Sequence, residues 1–377
     1  MSPEIEILII GGGLAGLTAA IHLQQVGLQV TLIEKQAYPH HKVCGEYISN
    51  EVLPYLNWLG IFPENLLPTH ITDLQFTSSS GNSITTKLPL GGFGLSRYAL
   101  DHHLYQIALE RGVNILIDAV INTTYCDNHF LIETAGGKIF KANQVIGAYG
   151  KRGLMDVKFE RNFISKKSPY LAVKAHYRSD FSNNLVSLHN FKGGYCGVSK
   201  IENKQLNICY LANYETFKKH KNIAAYQENV LYNNKYLKHV FEQSEMVFDA
   251  PLTISQISFE EKEPVFNHIL MIGDTAGLIH PLCGNGMAMA IHSAKIVSAL
   301  LNQHLKGKIS TRLQLEQSYR ASWYKLFGMR LRMGRILASV LRNDKLESFA
   351  MNAITRMPFL LNNIIKQTHG KPIIPQD

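Results

Sequence analysis

Apolar and polar positions divide the chain into segments of different period. Residues 5–10 are an unbroken apolar run, the pattern of a strand buried on both faces. Residues 14–26 place Leu17, Ala20, Leu23 and Val26 near helical spacing, Gly27 stops the run, and residues 28–33 return to a strand pattern. Strand, helix and parallel strand predict a right-handed βαβ unit. A loop and a short helix over 50–59 come next. Alternation from 74 to 88 predicts a hairpin turning at Ser80-Gly81-Asn82. Residues 98–111 read as a helix with Leu100, Leu104, Ile107 and Ala108 on one face, and 113–117 as a strand. A small meander over 121–141, turning at Asp127-Asn128 and Gly136-Gly137, leads into another buried strand over 144–150.

The pattern changes from 170 to about 258. Aromatic and β-branched residues mix with polar ones there, and helical spacing is confined to about 222–245, which predicts an antiparallel sheet. Residues 268–277 restore the buried-strand pattern. A long helix is predicted from about 285, and a helical, basic tail from about 312.

Glycine spacing gives the first βαβ unit its chemistry. Gly11-x-Gly13-x-x-Gly16 follows the strand and opens the helix: Gly11 for a tight turn, Gly13 for approach to a pyrophosphate, Gly16 for close helix–strand packing. Unpaired N–H groups at the helix start suit phosphates. Glu34 ends the second strand, where a carboxylate accepts from both ribose hydroxyls and repels a 2′-phosphate. NAD and FAD share this fingerprint. A second strand–turn–helix, "GDTAGLIHPLCGNGM" at 273–287, favours FAD. An acid at Asp274 can bond ribityl hydroxyls, and a helix start at Gly286 can stabilise a reduced flavin.

The 377 residues exceed one typical core and suit more than one packed unit. At 46% hydrophobic and 18% charged, the composition is that of a soluble globular chain. Five cysteines without a C-x-x-C pair suit a reducing, cytoplasmic compartment. The start lacks a basic leader, and no uncharged run reaches the ~20 residues of a membrane span. The net charge of +9 suits an anionic cofactor, an acidic substrate or a membrane surface. No nucleic-acid recognition module is visible.

Together the fingerprint, "KVCGEYIS" (42–49), "GLSRYALDHHL" (94–104) and "GDTAGLIHPLCGNGMAMAIHSA" (273–294) resemble the geranylgeranyl-reductase branch of the para-hydroxybenzoate-hydroxylase-type flavoproteins, over most of 5–340. The resemblance implies a discontinuous Rossmann-like FAD-binding domain (1–72, 98–164, 266–306), a mixed or antiparallel β substrate domain (73–97, 165–265) and C-terminal helices (307–377). It implies that Ala15 and Glu34 contact the adenosine half, with Val120 near the adenine. Cys44, Gly45 and Arg97 would lie against the cofactor, and Asp274, Gly286 and Met287 would hold ribityl and flavin. Arg97 also stands out by itself. A cation in the first turn of a helix that Ser96 can cap opposes the dipole by roughly 0.3–1 kcal/mol, which a bound anion would offset.

Three departures narrow the reaction. Related hydroxylases carry Asp-Gly where this chain has Tyr149-Gly150. Related halogenases carry Trp-x-Trp-x-Ile-Pro, whereas the only tryptophans here are Trp58 and Trp323. Prenyl reductases carry Tyr-x-Trp-x-Phe-Pro, against Tyr195-Cys196-Gly197-Val198-Ser199 here. The expectation is an FAD-dependent oxidoreductase reducing or dehydrogenating a C=C bond of an apolar prenyl, lipid or polyketide-like substrate. The alternatives are a flavin monooxygenase and, in another class, a non-catalytic FAD-binding protein. An open apolar cavity would favour an enzyme.

Reduction needs hydride from flavin N5 and a proton for the other carbon. Cys44 and Tyr195 are donors of the right type, with Glu46 or His280 assisting; Tyr195 also reads as a pocket wall and His280 as a loop cap. The reductase branch has Cys-Gly-Gly where this chain has Cys44-Gly45-Glu46. The external electron donor stays open, NAD(P)H being one candidate. No spacing suggests a metal site, because the pairs His40-His41 and His102-His103 are adjacent and point apart. The tail arginines Arg330, Arg332, Arg335 and Arg342 among Leu, Ile and Met raise peripheral membrane contact as an alternative to a packed, solvated helix.

Overall fold

The computed structural model describes residues 4–375 apart from 167, 342, 344, 347, 348, 351, 352, 355, 356 and 358. Arg342 therefore lies outside the described residues. The apolar runs of the first strands assemble into a sheet ordered Val265–Phe266, Ile269–Met271, Ile139–Gly147, Glu4–Ile10, Val30–Glu34, Asn114–Ile117. The strands from Ile269–Met271 to Asn114–Ile117 are parallel. Ile7, Leu8 and Ile9 are wholly buried, as a strand covered on both faces requires. Helix Leu14–Gln25 covers one face together with the long helix Gly286–Leu305; Ser298 donates to the Ala19 carbonyl between them. The meander Val120–Cys126, His129–Thr134 and Ile139–Gly147 is antiparallel and ends in the central sheet.

A second sheet is ordered Ser244–Met246, Tyr170–Ser179, Leu206–Asn213, Gly194–Lys200, Leu185–Phe191, Thr69–Thr77, Ser83–Gly94, Tyr47–Ser49, with Leu252–Ser255 also on Tyr170–Ser179. It is antiparallel except where Leu185–Phe191 runs parallel to Thr69–Thr77. Two pieces of the segment 1–72 thus belong to this sheet: Tyr47–Ser49 and the start of Thr69–Thr77. Neither is long enough to display a period of its own, and Ile71 is the one apolar residue in 69–72. The helical span near 222–245 divides into Ile223–Asn229 and Lys235–Glu242, because Asn234 leaves the helical region and its side chain caps the second piece. These helices cover the outer face through Tyr226, Leu237 and Phe241.

The tail supplies helices Arg312–Leu341 and Phe359–Thr368. Arg330 turns inward rather than lining the surface, paired at 3.0 Å with the buried Glu51. Glu51 also accepts from Asn285 Nδ2 and the Gly370 N–H. That carboxylate fastens the tail to the start of Gly286–Leu305. Helix Phe359–Thr368 packs Leu361 and Ile365 against Ile71, Leu74, Leu88 and Val186 of the second sheet.

Candidate cofactor and active site

The fingerprint glycines are sterically required. Gly11 has φ +106°, and a Cβ there would strike the Ala148 carbonyl; at Gly16 it would strike the Gly11 carbonyl. Gly13 differs. Among the described residues, and apart from its chain neighbours, the atoms within 4 Å of its Cβ position are Arg97 Nη2 at 3.5 Å and Lys42 Nζ at 3.6 Å. Open backbone, a helix start and two cations converge on one point, which fits a pyrophosphate.

The cations are held in place. Arg97 forks onto Asp101 through Nε–Oδ1 and Nη2–Oδ2, both 2.7 Å, and Lys42 reaches Asp101 Oδ2 at 2.9 Å. Burial would raise the Asp101 carboxyl, but Arg97 and Lys42 outweigh it and hold it below its ordinary value. Two cations against one anion leave one positive charge facing Gly13. Asp101 thus supplies part of the compensation that the sequence assigned to a bound anion. Ser96 caps the helix as expected, accepting from the Ala99 N–H at 3.0 Å.

Glu34 is buried, accepting from the Gly12 N–H at 2.6 Å and the Gln36 N–H at 3.1 Å. A carboxylate has about four acceptor positions, so capacity remains for hydroxyls. The second acidic turn packs on the first: the Gly273 Cβ position is 3.0 Å from Ala15 Cβ, and the Gly273 N–H donates to Ser293. Lys262, which the sequence did not single out, bridges the carbonyls of Lys151 and Asp274 at 2.8 Å each, and burial lowers it to about 8.

Gly13, Arg97, Lys42, Glu34, Gly273 and Asp274 line one cavity of about 1090 Å³, beyond the ~300–1,000 Å³ of an ordinary small-molecule site. Gly11, Gly13, Ala15, Glu34 and Val120 line it with Arg97, Asp274, Gly286 and Met287. Cys44, Gly45 and Tyr195 line it too. Gly16 is not a lining residue; it serves packing. The cavity continues into an apolar compartment between Leu74, Leu88, Val186 and Leu188 of the second sheet and Ile354, Leu361, Ile364 and Ile365 of the tail. Gly197 is also on its wall, where a Cβ would meet the Cys209 carbonyl at 3.7 Å and Leu188 at 3.8 Å without hindrance.

The proton-donor candidates separate. Cys44 is half-buried on the wall. Burial pushes the Tyr195 phenol well above its ordinary value, which suits a wall better than an acid. His280 gives no side-chain cap to its turn; its ring packs among Tyr170, Tyr195 and Phe259. Tyr149 donates to Met271 Sδ at 3.4 Å. Trp58 packs on His22 and Tyr55, and Trp323 on Tyr319 and Phe327, so no tryptophan lines the cavity. Among the described residues no cluster could hold a metal.

The family description "FAD dependent oxidoreductase" matches residues 6–44. The digeranylgeranylglycerophospholipid reductase of Thermoplasma volcanium is 23% identical over 331 residues, 80% of this chain and 79% of that protein. The chain resembles the geranylgeranyl-reductase branch of FAD-dependent oxidoreductases. Solved structures agree on the fold of this flavoprotein. A geranylgeranyl bacteriochlorophyll reductase-like protein of Thermoplasma acidophilum superposes with TM-score 0.74 at 17% identity, covering 97% of this chain and 96% of that one. A flavin-dependent brominase superposes with TM-score 0.80 at 17% identity, covering 97% and 93%. The cofactor of this flavoprotein is FAD, and the cradle around Gly13 fits it.

Proposed function

We propose that this FAD-dependent oxidoreductase reduces, or in reverse dehydrogenates, a C=C bond in an apolar substrate. The apolar compartment continuous with the cofactor cradle carries this reading. Gly13, Arg97 and Lys42 would hold the pyrophosphate, Glu34 the ribose, Val120 the adenine side, and Asp274, Gly286 and Met287 the ribityl–flavin half. When bound and reduced by an external donor such as NAD(P)H, the flavin would supply hydride at N5 and be left oxidised. The aliphatic walls exclude water and align an unsaturated chain. Cys44, half-buried on the cavity wall, would hand a proton to the second carbon. Gly197 and Ser199 leave open the wall where prenyl reductases carry larger side chains, so a bulkier substrate than a linear isoprenoid is admitted.

The exposed stripe Lys325, Met329, Arg332 and Ile336 on the tail helix repeats at helical spacing and suits peripheral contact with an anionic bilayer. An apolar substrate would then enter from the lipid side.

The test is cofactor release and product labelling. Denatured protein should yield FAD, not FMN or NAD. Turnover under ¹⁸O₂ should leave the product unlabelled and richer by two hydrogens. Label in the product would instead establish the monooxygenase.

A further inference from the structure

The Cys44-Gly45-Glu46 turn carries a residue that is costly there on two counts. Glu46 has φ +54°, a conformation glycine adopts freely and other residues adopt under strain. Its carboxylate is also fully buried, and removing a charge from water costs several kcal/mol unless it is paired. Glycine at this position, as in Cys-Gly-Gly, would avoid both costs.

In return, Glu46 makes three links. Oε1 accepts from Lys174 Nζ at 2.7 Å and from the Arg97 N–H at 2.8 Å, and Oε2 faces His176 Nε2 at 2.7 Å. Lys174 and His176 are themselves buried. Burial alone would raise the Glu46 carboxyl, but Lys174 and the His176 hydrogen bond outweigh it and lower it. A carboxylate therefore pairs with the ammonium, and His176 donates through Nε2.

Lys174 and His176 alternate on Tyr170–Ser179, so they share a face. His176 pairs across the sheet with Asn207, whose Nδ2 donates to the carbonyls of Cys44 at 3.2 Å and Gly45 at 2.9 Å. Lys174 also donates to the Lys42 carbonyl at 3.3 Å. One buried polar patch of the second sheet thus grips the turn at residues 42, 44, 45 and 46. The same carboxylate fixes the first N–H of the helix that carries Arg97.

We propose that Glu46 is a positioning residue, which sets the Cys44-Gly45 turn and the start of the Arg97 helix against the cofactor from the substrate-side sheet. The proposal rests on the FAD reading of the cavity. A buried ion pair is weak evidence for stability, since apolar replacement of both partners is often neutral or favourable. Its better-attested use is to fix one arrangement, here where Cys44 and Arg97 stand relative to the flavin.

The test uses the holoprotein and follows the flavin visible spectrum, the rate of flavin release and the thermal midpoint. Glu46→Gln strands Lys174 and should lower the midpoint and speed flavin release by about tenfold, equivalent to ~1.4 kcal/mol. The double variant Glu46→Leu/Lys174→Met strands no charge and should recover most of the midpoint. Its flavin spectrum and release rate should remain displaced, because the turn is no longer gripped. Asn207→Ala, which frees the same turn without touching a charge, should displace the spectrum in the same direction. Wild-type spectra and release rates in both the double variant and Asn207→Ala would overturn the proposal and leave a structural ion pair. Wild-type protein that neither carries nor takes up FAD would overturn the cofactor reading, and this proposal with it.

Discussion

At Gly13 the absence of a side chain is the binding feature. Among the described residues, its Cβ position meets only the ends of Arg97 and Lys42 beyond its own chain neighbours. Gly13→Asp would put a carboxylate where the pyrophosphate belongs. The variant is expected to purify colourless, with flavin content near zero, whereas normal FAD content would contradict the cradle assignment. Cys44 makes the complementary case. Cys44→Ser should retain FAD yet slow substrate-dependent flavin reoxidation, because a hydroxyl is a far weaker acid than a thiol. An unchanged rate would reduce Cys44 to an inert wall thiol. The place of both residues on the cavity wall was legible from sequence because each belongs to a short, contiguous motif. Lys42, Asp101 and Glu46 lie inside quoted motifs too, but their work was not. Lys42 meets Asp101 across 59 residues of chain, and Glu46 meets Lys174 across 128. No local period encodes such pairings.

Helices at the site act through their ends and outer faces. Helix Arg97–Glu110 presents Arg97 in its first turn and folds Asp101 back onto it, an i,i+4 pair that also collects Lys42. Asp101→Asn would leave both cations without their buried partner. FAD affinity is expected to fall by about tenfold, read by fluorescence titration, as the guanidinium loses its fixed orientation. Affinity within twofold of wild type would contradict pre-organisation by Asp101. Helix Arg312–Leu341 turns the stripe Lys325, Met329, Arg332 and Ile336 outward. Flotation with anionic liposomes at low salt, lost as salt screens the charges, is the expected outcome. No flotation at any salt would leave a solvated helix. The βαβ unit and the GD turn were legible because strand, turn and helix are contiguous. Helix Phe359–Thr368 was expected as part of a tail, but its place over the cavity depends on the second sheet and on Glu51, neither near it in sequence.

Across the whole molecule, buried histidines tie stability to pH. Burial lowers His22 and His189 to about 4 and His292 to about 3, from an ordinary value of 6.5. Protons therefore bind the unfolded chain more readily. This stability is complete above 6.5 and is lost as pH falls through the folded values, and the depressed carboxyls of Glu46 and Asp101 extend the loss to lower pH. The thermal midpoint should be level near neutrality and fall steadily below about pH 6.5, whereas a midpoint constant down to about pH 4.5 would contradict neutral buried histidines. Among the described residues no helix is long and apolar enough to cross a membrane.

The cavity joins a cofactor cradle to an aliphatic compartment, and anaerobic reoxidation tests that union most directly. Holoprotein photoreduced without oxygen is mixed with a fractionated extract of unsaturated lipids, and flavin absorbance is followed while products are analysed by mass. Absorbance is expected to return as one component gains two hydrogens. Flavin that stays reduced with every unsaturated component, yet reoxidises and oxygenates a substrate once oxygen is admitted, would contradict it.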